Sequence, residues 1–178
     1  ALAFAAQGAD LAVLDLDGDA AAAVARRCGS RALGLACNVT DPAQVQAAFA
    51  AVAAHFGGLD IVVSNAGAAW GGRIAELPEA DLRASFELNF FAHQHVAQAA
   101  LALFRLQDTL ANPAGAAGGE TNAGQAASIG GEGSGEGATA RLGGQLLFNV
   151  SKQALNPGPG FGAYGTSKAA LLALVRQY

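Results

Sequence analysis

Short apolar runs alternate with alanine-rich amphipathic stretches along the chain. Three runs, ADLAVLDLD at 9–17, RALGLACNV at 31–39 and LDIVVSNAG at 59–67, are bounded by turn-forming residues and predict strands. A fourth apolar run, GQLLFNV at 144–150, follows much later. Consecutive strands that are separated by helices run parallel with right-handed crossovers. The pattern therefore predicts an α/β protein built on a parallel sheet.

The segments between these strands carry helix signals. The segment 17–29 is alanine-rich and ends in glycine, and the segment 41–58 begins with Asp41 as an N-cap and Pro42 at the first helical position. Apolar side chains recur every three or four positions in the second segment, which predicts one buried face. Two further helices are predicted over about 78–106 and from about 163 onward.

A segment of a different kind occupies about 107–144. It consists mainly of Gly, Ala, Ser and Thr with almost no large apolar side chain, which predicts a flexible surface insertion. Its GEGSGEGA sequence at 131–138 can be fitted to G-x-G-x-x-A. Because no strand precedes that sequence, we do not interpret it as a dinucleotide-binding fingerprint.

Composition narrows the classes of function. The chain has 178 residues, of which 52% are hydrophobic and 13% charged, so one globular domain over 1–178 is expected. The net charge of -4 and the lack of a Lys/Arg cluster argue against a nucleic acid partner. Neither a signal segment nor an apolar run of 18 residues occurs, which predicts a cytoplasmic protein without a membrane span.

Cysteine and histidine spacing argues against a metal site. Cys28 and Cys37 lie outside any metal-ligand spacing, and reduced thiols are expected. His93 and His95 lie on different faces of a predicted helix, and His55 is isolated. The three histidines are interpreted as ordinary surface or partly buried residues, and no metal is predicted.

Three polar residues near the C-terminus carry candidate chemistry. Tyr164 and Lys168 are four positions apart at the start of a predicted helix, so their side chains share one face. A nearby ammonium favours the phenolate and lowers the pKa of a tyrosine toward working pH, as general acid/base catalysis requires. Ser151 ends the fourth predicted strand, and a Gly/Pro-rich turn can bring its hydroxyl beside the phenol. A carbonyl can then be held between two donors.

Five ordered matches resemble the short-chain dehydrogenase/reductase family. YGTSK at 164–168 is similar to the family's Tyr-x-x-x-Lys motif, and Ser151 lies where its serine precedes that tyrosine. NAG at 65–67 resembles its Asn-Ala-Gly turn, Asn89 its helix asparagine, and LDLD at 14–17 the acidic end of its second strand. The resemblance implies a Rossmann-like, doubly wound parallel sheet.

The resemblance also implies the catalytic roles. Tyr164 would be the acid/base at the carbonyl oxygen, and Lys168 would hold the nicotinamide ribose and lower the pKa of the tyrosine. Ser151 would orient and polarise the carbonyl, and Asn89 would keep a water-linked proton path to the lysine. Hydride transfer itself would belong to the cofactor.

Cofactor contacts are expected at the carboxyl ends of the strands. Asp15 is placed to bind the adenosine ribose hydroxyls and to repel a 2′-phosphate, which favours NAD over NADP. Asn38 stands where the family usually has an aspartate, and its carbonyl can still accept from adenine. Small residues at the NAG turn let the backbone approach the cofactor. The cofactor-binding candidates are Asp15, Asn38, Val39, Asn65, Ala66, Gly67, Tyr164 and Lys168.

The resemblance further implies that this domain is partial. The family's first strand, its glycine-rich turn and its C-terminal strands are expected outside 1–178, so the sheet is expected to be truncated at both ends. The stretch FNVSKQALNPGPGFGAYG at 148–165 resembles, more narrowly, the dehydrogenase half of bifunctional aldolase/short-chain dehydrogenase proteins. An aldolase-like region would then precede the domain.

These observations predict an NAD-dependent oxidoreductase that interconverts a secondary alcohol, such as a sugar-derived polyol, and its carbonyl compound. Two alternatives stay open, namely a non-catalytic dinucleotide-binding module and an inactive fragment of such an enzyme. The partner expected is a small-molecule alcohol or carbonyl substrate. By resemblance, the helices that hold Asn89 and Tyr164 form a subunit interface, which predicts a homo-oligomer.

Overall fold

The computed structural model describes residues 1–111 and 143–178. Each predicted strand and helix in those ranges is present, and the strands are shorter than their apolar runs. No helix in the two ranges has the length and apolar character needed to cross a membrane. The strands are β1 (Ala12–Asp15), β2 (Leu33–Ala36), β3 (Ile61–Ser64) and β4 (Gln145–Phe148). The helices are α1 (Leu2–Ala6), α2 (Gly18–Cys28), α3 (Pro42–Phe56), α4 (Glu79–Phe86), α5 (Ala92–Ala111) and α6 (Gly162–Val175).

The strands form two parallel pairs, which confirms the predicted direction of the sheet. β1 pairs with β2 from Ala12 opposite Leu33, and β3 pairs with β4 from Ile61 opposite Gln145. In the described ranges β1 and β3 do not hydrogen-bond to each other. A cavity of about 550 Å³ is lined by residues of both strands. The further strand that the resemblance puts between them stays a prediction.

Helix α3 supplies one wall of the core. The Asp41 carboxylate accepts hydrogen bonds from two backbone N–H groups of the first turn, which anchors the start of the helix. Val45, Phe49 and Val52 are buried on the face that the periodicity predicts. They belong to the same apolar cluster as buried residues of β3 and α5, namely Val62, Val96, Ala100 and Phe104. Burial of this cluster fixes α5 against the strands.

The helix predicted over about 78–106 is longer than expected and is interrupted. A π-helical turn at Glu87–Phe91 joins α4 to α5, and α5 continues to Ala111. The prediction of a flexible insertion from 107 is therefore wrong for 107–111. Gln107 explains the difference, since its amide both donates to the Leu59 carbonyl at 2.8 Å and accepts from the Leu59 N–H at 2.7 Å. The rest of that insertion, 112–142, and the GEGSGEGA sequence lie outside the described residues.

Candidate active site

One cavity contains most of the predicted cofactor-binding residues. Parallel strands present their carboxyl ends at a common edge, and residues that follow β1, β2 and β3 meet there. α5 covers the cavity from one side through Ala92, His93 and Val96. The predicted cofactor residues that line it are Asp15, Asn38, Val39, Asn65, Ala66 and Gly67.

The β1 and β2 side of this cavity is held by local hydrogen bonds. The Asp15 carboxylate is exposed and accepts from the Asp17 N–H at 3.0 Å. The side-chain oxygen Oδ1 of Asn38 accepts from Thr40 twice, from its N–H at 3.1 Å and from its hydroxyl at 2.8 Å. Both lone pairs of that oxygen are therefore used inside the loop. The Asn38 N–H donates to the Gln44 side chain at 2.9 Å.

Gly67 brings the NAG turn close to two predicted catalytic side chains. A β-carbon at this position would lie 2.8 Å from Asn89 Oδ1 and 3.5 Å from Lys168 Nζ. The first distance is shorter than any ordinary carbon–oxygen contact. Glycine at 67 therefore lets the backbone pass directly beside the amide and the ammonium, whereas its approach to a cofactor stays a prediction.

Asn89 is the centre of a buried hydrogen-bond network. It lies within the π-helical turn, a feature that often marks functional sites. Its amide donates to the Ala68 carbonyl at 2.9 Å and to Ser85 Oγ at 3.1 Å, and its oxygen accepts from the Ala68 N–H at 3.2 Å. Ser85 Oγ lies 3.0 Å from Ser167 Oγ, which donates to the Tyr164 carbonyl at 3.0 Å. The network joins the loop after β3 to α6.

Lys168 presents a buried ammonium to the same place. Its side chain is 2% exposed, and Nζ donates to the Asn149 carbonyl at 3.0 Å. Nζ lies 6.0 Å from the centre of the Tyr164 ring, as the four-residue spacing predicts. Burial lowers the pKa of Lys168 to about 8.

Ser151 follows β4 with a strained backbone. Its φ of 63° and ψ of 154° fall in a region that residues other than glycine rarely adopt. Its N–H donates to Asn149 Oδ1 at 3.3 Å, and its hydroxyl accepts from the Gln153 N–H at 3.4 Å. These two hydrogen bonds of Ser151 are therefore made within the turn after β4, and neither is made with Tyr164. Gly165 allows α6 to pack on that turn, since a β-carbon there would lie 2.9 Å from Pro157 Cβ.

His93 was not predicted as a site residue. It is 1% exposed, so its interpretation as a surface or partly buried histidine is wrong. Nδ1 lies 2.6 Å from Ser64 Oγ, and Nε2 lies 3.1 Å from Lys168 Nζ. Burial and then the Lys168 charge lower the pKa of His93 to about 4, although a backbone hydrogen bond with Ala66 raises it. The usable signal in the sequence is its position one helical turn after Asn89.

Asn149 is the second residue that the sequence analysis missed. Its amide donates to Asn65 Oδ1 at 2.8 Å, while its backbone carbonyl accepts from Lys168. It thus ties the end of β4 to the NAG turn and to α6. Its place directly after a parallel strand, two residues before Ser151, is the signal that points to it.

The arrangement of strands and helices defines a Rossmann-like α/β protein. The structure is similar to that of a 7α-hydroxysteroid dehydrogenase complexed with NADH and 7-oxo glycochenodeoxycholic acid, with a TM-score of 0.74 and 26% identity. That match covers 99% of this chain and 57% of the other. The predicted fold class is confirmed. A family model described as enoyl-(acyl carrier protein) reductase matches residues 1–127. The chain belongs to the short-chain dehydrogenase/reductase family.

Two curated relatives agree with this family. D-threitol dehydrogenase from Mycolicibacterium smegmatis is 44% identical over 86 residues, which are 47% of this chain and 32% of the relative. The 7α-hydroxysteroid dehydrogenase of Escherichia coli K12 is 34% identical over 101 residues, which are 55% of this chain and 39% of the relative. The matched segments thus span between about a third and two fifths of these relatives.

Proposed function

We propose that the protein is an oxidoreductase that transfers hydride between a nicotinamide cofactor and a secondary alcohol or its carbonyl compound. The observation that carries the proposal is the position of the Lys168 ammonium. It is buried at the NAG turn, close to Tyr164, and no carboxylate lies within ion-pair distance of it among the described residues. Its charge is therefore free to act on the phenol and on a ligand. Family membership supports the same chemistry.

We propose NAD as the cofactor. Six of the predicted binding residues lie at or just after the carboxyl ends of β1, β2 and β3, and Gly67 leaves room beside Lys168. The exposed carboxylate of Asp15 can accept from ribose hydroxyls and would repel a 2′-phosphate. Because Asn38 Oδ1 already accepts two hydrogen bonds from Thr40, an adenine contact through that atom requires Thr40 to move away. Val39 is the remaining proposed contact with adenine.

The proposed mechanism uses four side chains. Tyr164 donates a proton to the carbonyl oxygen in reduction and takes it back in oxidation. Lys168 favours the phenolate and holds the nicotinamide ribose, and Ser151 donates a hydrogen bond to the carbonyl. Asn89 holds the loop after β3 in place and keeps a water-linked proton path to Lys168. The bound nicotinamide would supply or accept the hydride.

We propose polyols and related hydroxy compounds as the first substrates to test. The similarity to a D-threitol dehydrogenase supports this class. The narrower resemblance to bifunctional aldolase/dehydrogenase proteins predicts an aldolase-like region upstream of Ala1, which the parent gene sequence tests. A homo-oligomer is also proposed by resemblance, and sedimentation of the intact protein tests it.

The test is a calorimetric titration of NADH into this chain and into a version extended upstream through the expected glycine-rich turn. Binding to the extended chain, followed by NAD reduction with a panel of polyols, supports the proposal. Binding without turnover on any alcohol favours the non-catalytic dinucleotide-binding module. If neither chain binds NADH, the proposed function is wrong.

A further inference from the structure

A chain of three buried side chains links β3 to the proposed catalytic lysine. Ser64 on β3 contacts His93 on α5, and His93 contacts Lys168 on α6. Each of the three is less than a tenth exposed. The partners are far apart in sequence, so only the assembled fold brings them into line.

The donors and acceptors among these three side chains determine which nitrogen of the His93 ring carries the proton. An ammonium can only donate, so the Lys168 Nζ to His93 Nε2 contact of 3.1 Å requires a lone pair on Nε2. The proton of a neutral ring then resides on Nδ1 and is donated to Ser64 Oγ at 2.6 Å. A second proton on Nε2 would face the ammonium directly. Burial and the Lys168 charge both disfavour that state and, against a smaller opposing effect of the Ala66 backbone hydrogen bond, lower the pKa of His93 to about 4.

The groups around the pair are neutral. Asn149 offers a carbonyl from the end of β4, Tyr164 a phenol from α6, and Ala66 a backbone hydrogen bond to His93 from the NAG turn. The Phe148 ring lies 6.2 Å from the His93 ring. The ion pairs of the described residues are elsewhere, at Arg31–Asp10, Arg73–Glu76 and Arg83–Glu79. Lys168 is therefore held by neutral acceptors, which fix its position without neutralising its charge.

We propose that His93, as the neutral Nδ1–H tautomer held by Ser64, is a positioning residue that keeps the Lys168 ammonium beside Tyr164. The inference rests on the proposed function. A carboxylate in the place of His93 would pair with the ammonium and weaken its action on the phenol. Imidazole accepts the same hydrogen bond and leaves the positive charge available for the phenolate.

The variants His93→Leu and His93→Gln test the role in turnover. Leucine removes the acceptor, whereas the glutamine oxygen can reach toward the position of Nε2. Without the acceptor the ammonium is less well held, so in His93→Leu the acid limb of the kcat–pH profile for alcohol oxidation should move up by about one unit. A shift of one unit lowers kcat about tenfold at a pH on the slope of that limb, while NADH affinity should change only severalfold.

Two comparisons separate this role from a merely structural one. His93→Gln should restore most of the pH profile, and the exposed His55→Leu should behave like the wild type. A His93→Leu profile with an unchanged acid limb would overturn the proposal, as would a failure of glutamine to restore it in a folded variant.

A measurement on the unmodified protein tests the inference without variants that can fail to fold and without an activity assay. Nitrogen NMR of labelled histidine should show His93 protonated on Nδ1 and unprotonated on Nε2 throughout the range from pH 6 to 7, where Lys168 is an ammonium. Protonation on Nε2 in that range would overturn the inference. If no NADH binding or turnover is found but this tautomer is observed, the proposed function fails while the hydrogen-bonded link between His93 and Lys168 stands.

Discussion

The two ends of the candidate site are built in different ways. At the β1 and β2 end, Asp15 and Asn38 are held by neighbours between two and six residues away in sequence. At the α6 end, the hydrogen-bonded partners His93 and Lys168 are 75 residues apart, and Asn149 and Asn65 are 84 apart. The first end consists of exposed or half-buried polar loops. The second is a polar network that is buried around His93, Asn89 and Lys168 and has the exposed Asn149–Asn65 bond at its edge.

This difference shows how each end of the site is held in place before a ligand binds. Local loops can hold a carboxylate at a strand end before the rest of the domain is assembled. The buried network exists only when α4, α5, α6 and both loops pack together, since each polar group there finds its partner on another element. We therefore expect substitutions at the buried end to change turnover or stability, and substitutions at the exposed end to change cofactor choice.

The largest effect expected is at Tyr164. Tyr164→Phe removes the proposed proton donor, so turnover should fall about 10³-fold, with NADH affinity within severalfold of the wild type. Steady-state kinetics and a NADH titration measure both quantities. Tyr178→Phe is a matched control, since Tyr178 is exposed and stacks on Phe148. Retained turnover in Tyr164→Phe would remove the tyrosine from the mechanism.

The buried network should also give an acid-dependent loss of stability. The pKa of His93 is about 4 in the folded protein and near its ordinary 6.5 when unfolded. Between these values the unfolded chain binds more protons, so the stability that is full above pH 6.5 is lost as the pH falls toward 4. The free-energy cost is at most about 3 kcal/mol.

Urea unfolding of His93→Asn and of the wild type between pH 4 and 7 measures this loss. The two free energies of unfolding should converge as the pH falls, because the variant has no imidazole to protonate. The exposed His55→Asn should instead follow the wild type. A constant difference between His93→Asn and the wild type across this range would contradict the assignment.

A smaller loss of turnover is expected from a substitution at Gly67, where the two ends meet. In Gly67→Ala the new methyl group would lie 2.8 Å from Asn89 Oδ1, so the turn or the amide must shift. Displacement of about 1 Å at a catalytic site costs about 10²-fold in turnover. Gly143→Ala, where a β-carbon meets no atom within 4 Å, controls for loss of a glycine. Equal kcat values for the two variants would mean that the close approach is unimportant.

The smallest effect on turnover should come from the exposed end. Asp15→Asn keeps an acceptor for the Asp17 N–H but removes the charge, so the preference for NAD over NADP should narrow about tenfold with kcat little changed. Dissociation constants for NADH and NADPH measure this ratio, and Asp19→Asn in the first turn of α2 is the control. If the ratio in Asp15→Asn equals that of the wild type, Asp15 does not contact the ribose.

Local patterns predicted the elements better than they predicted the buried site. Apolar runs and caps such as Asp41 located the strands and α3, because these signals act over a few residues. The π-helical turn escaped prediction, since one extra residue in a helical turn hardly alters the apolar period. His93 escaped for another reason. Its partners lie on β3 and α6, and a lone histidine in an apolar helix carries no local sign of them.

The backbone at Ser151 has a consequence for how this protein responds to selection. Its φ of 63° and ψ of 154° suit glycine, and a serine there costs about 1–3 kcal/mol. Ser151→Gly should therefore raise the melting temperature while it deletes the hydroxyl. A laboratory evolution screen that rewards heat resistance alone would favour this replacement and discard a proposed catalytic group, so such a screen needs turnover as a second criterion.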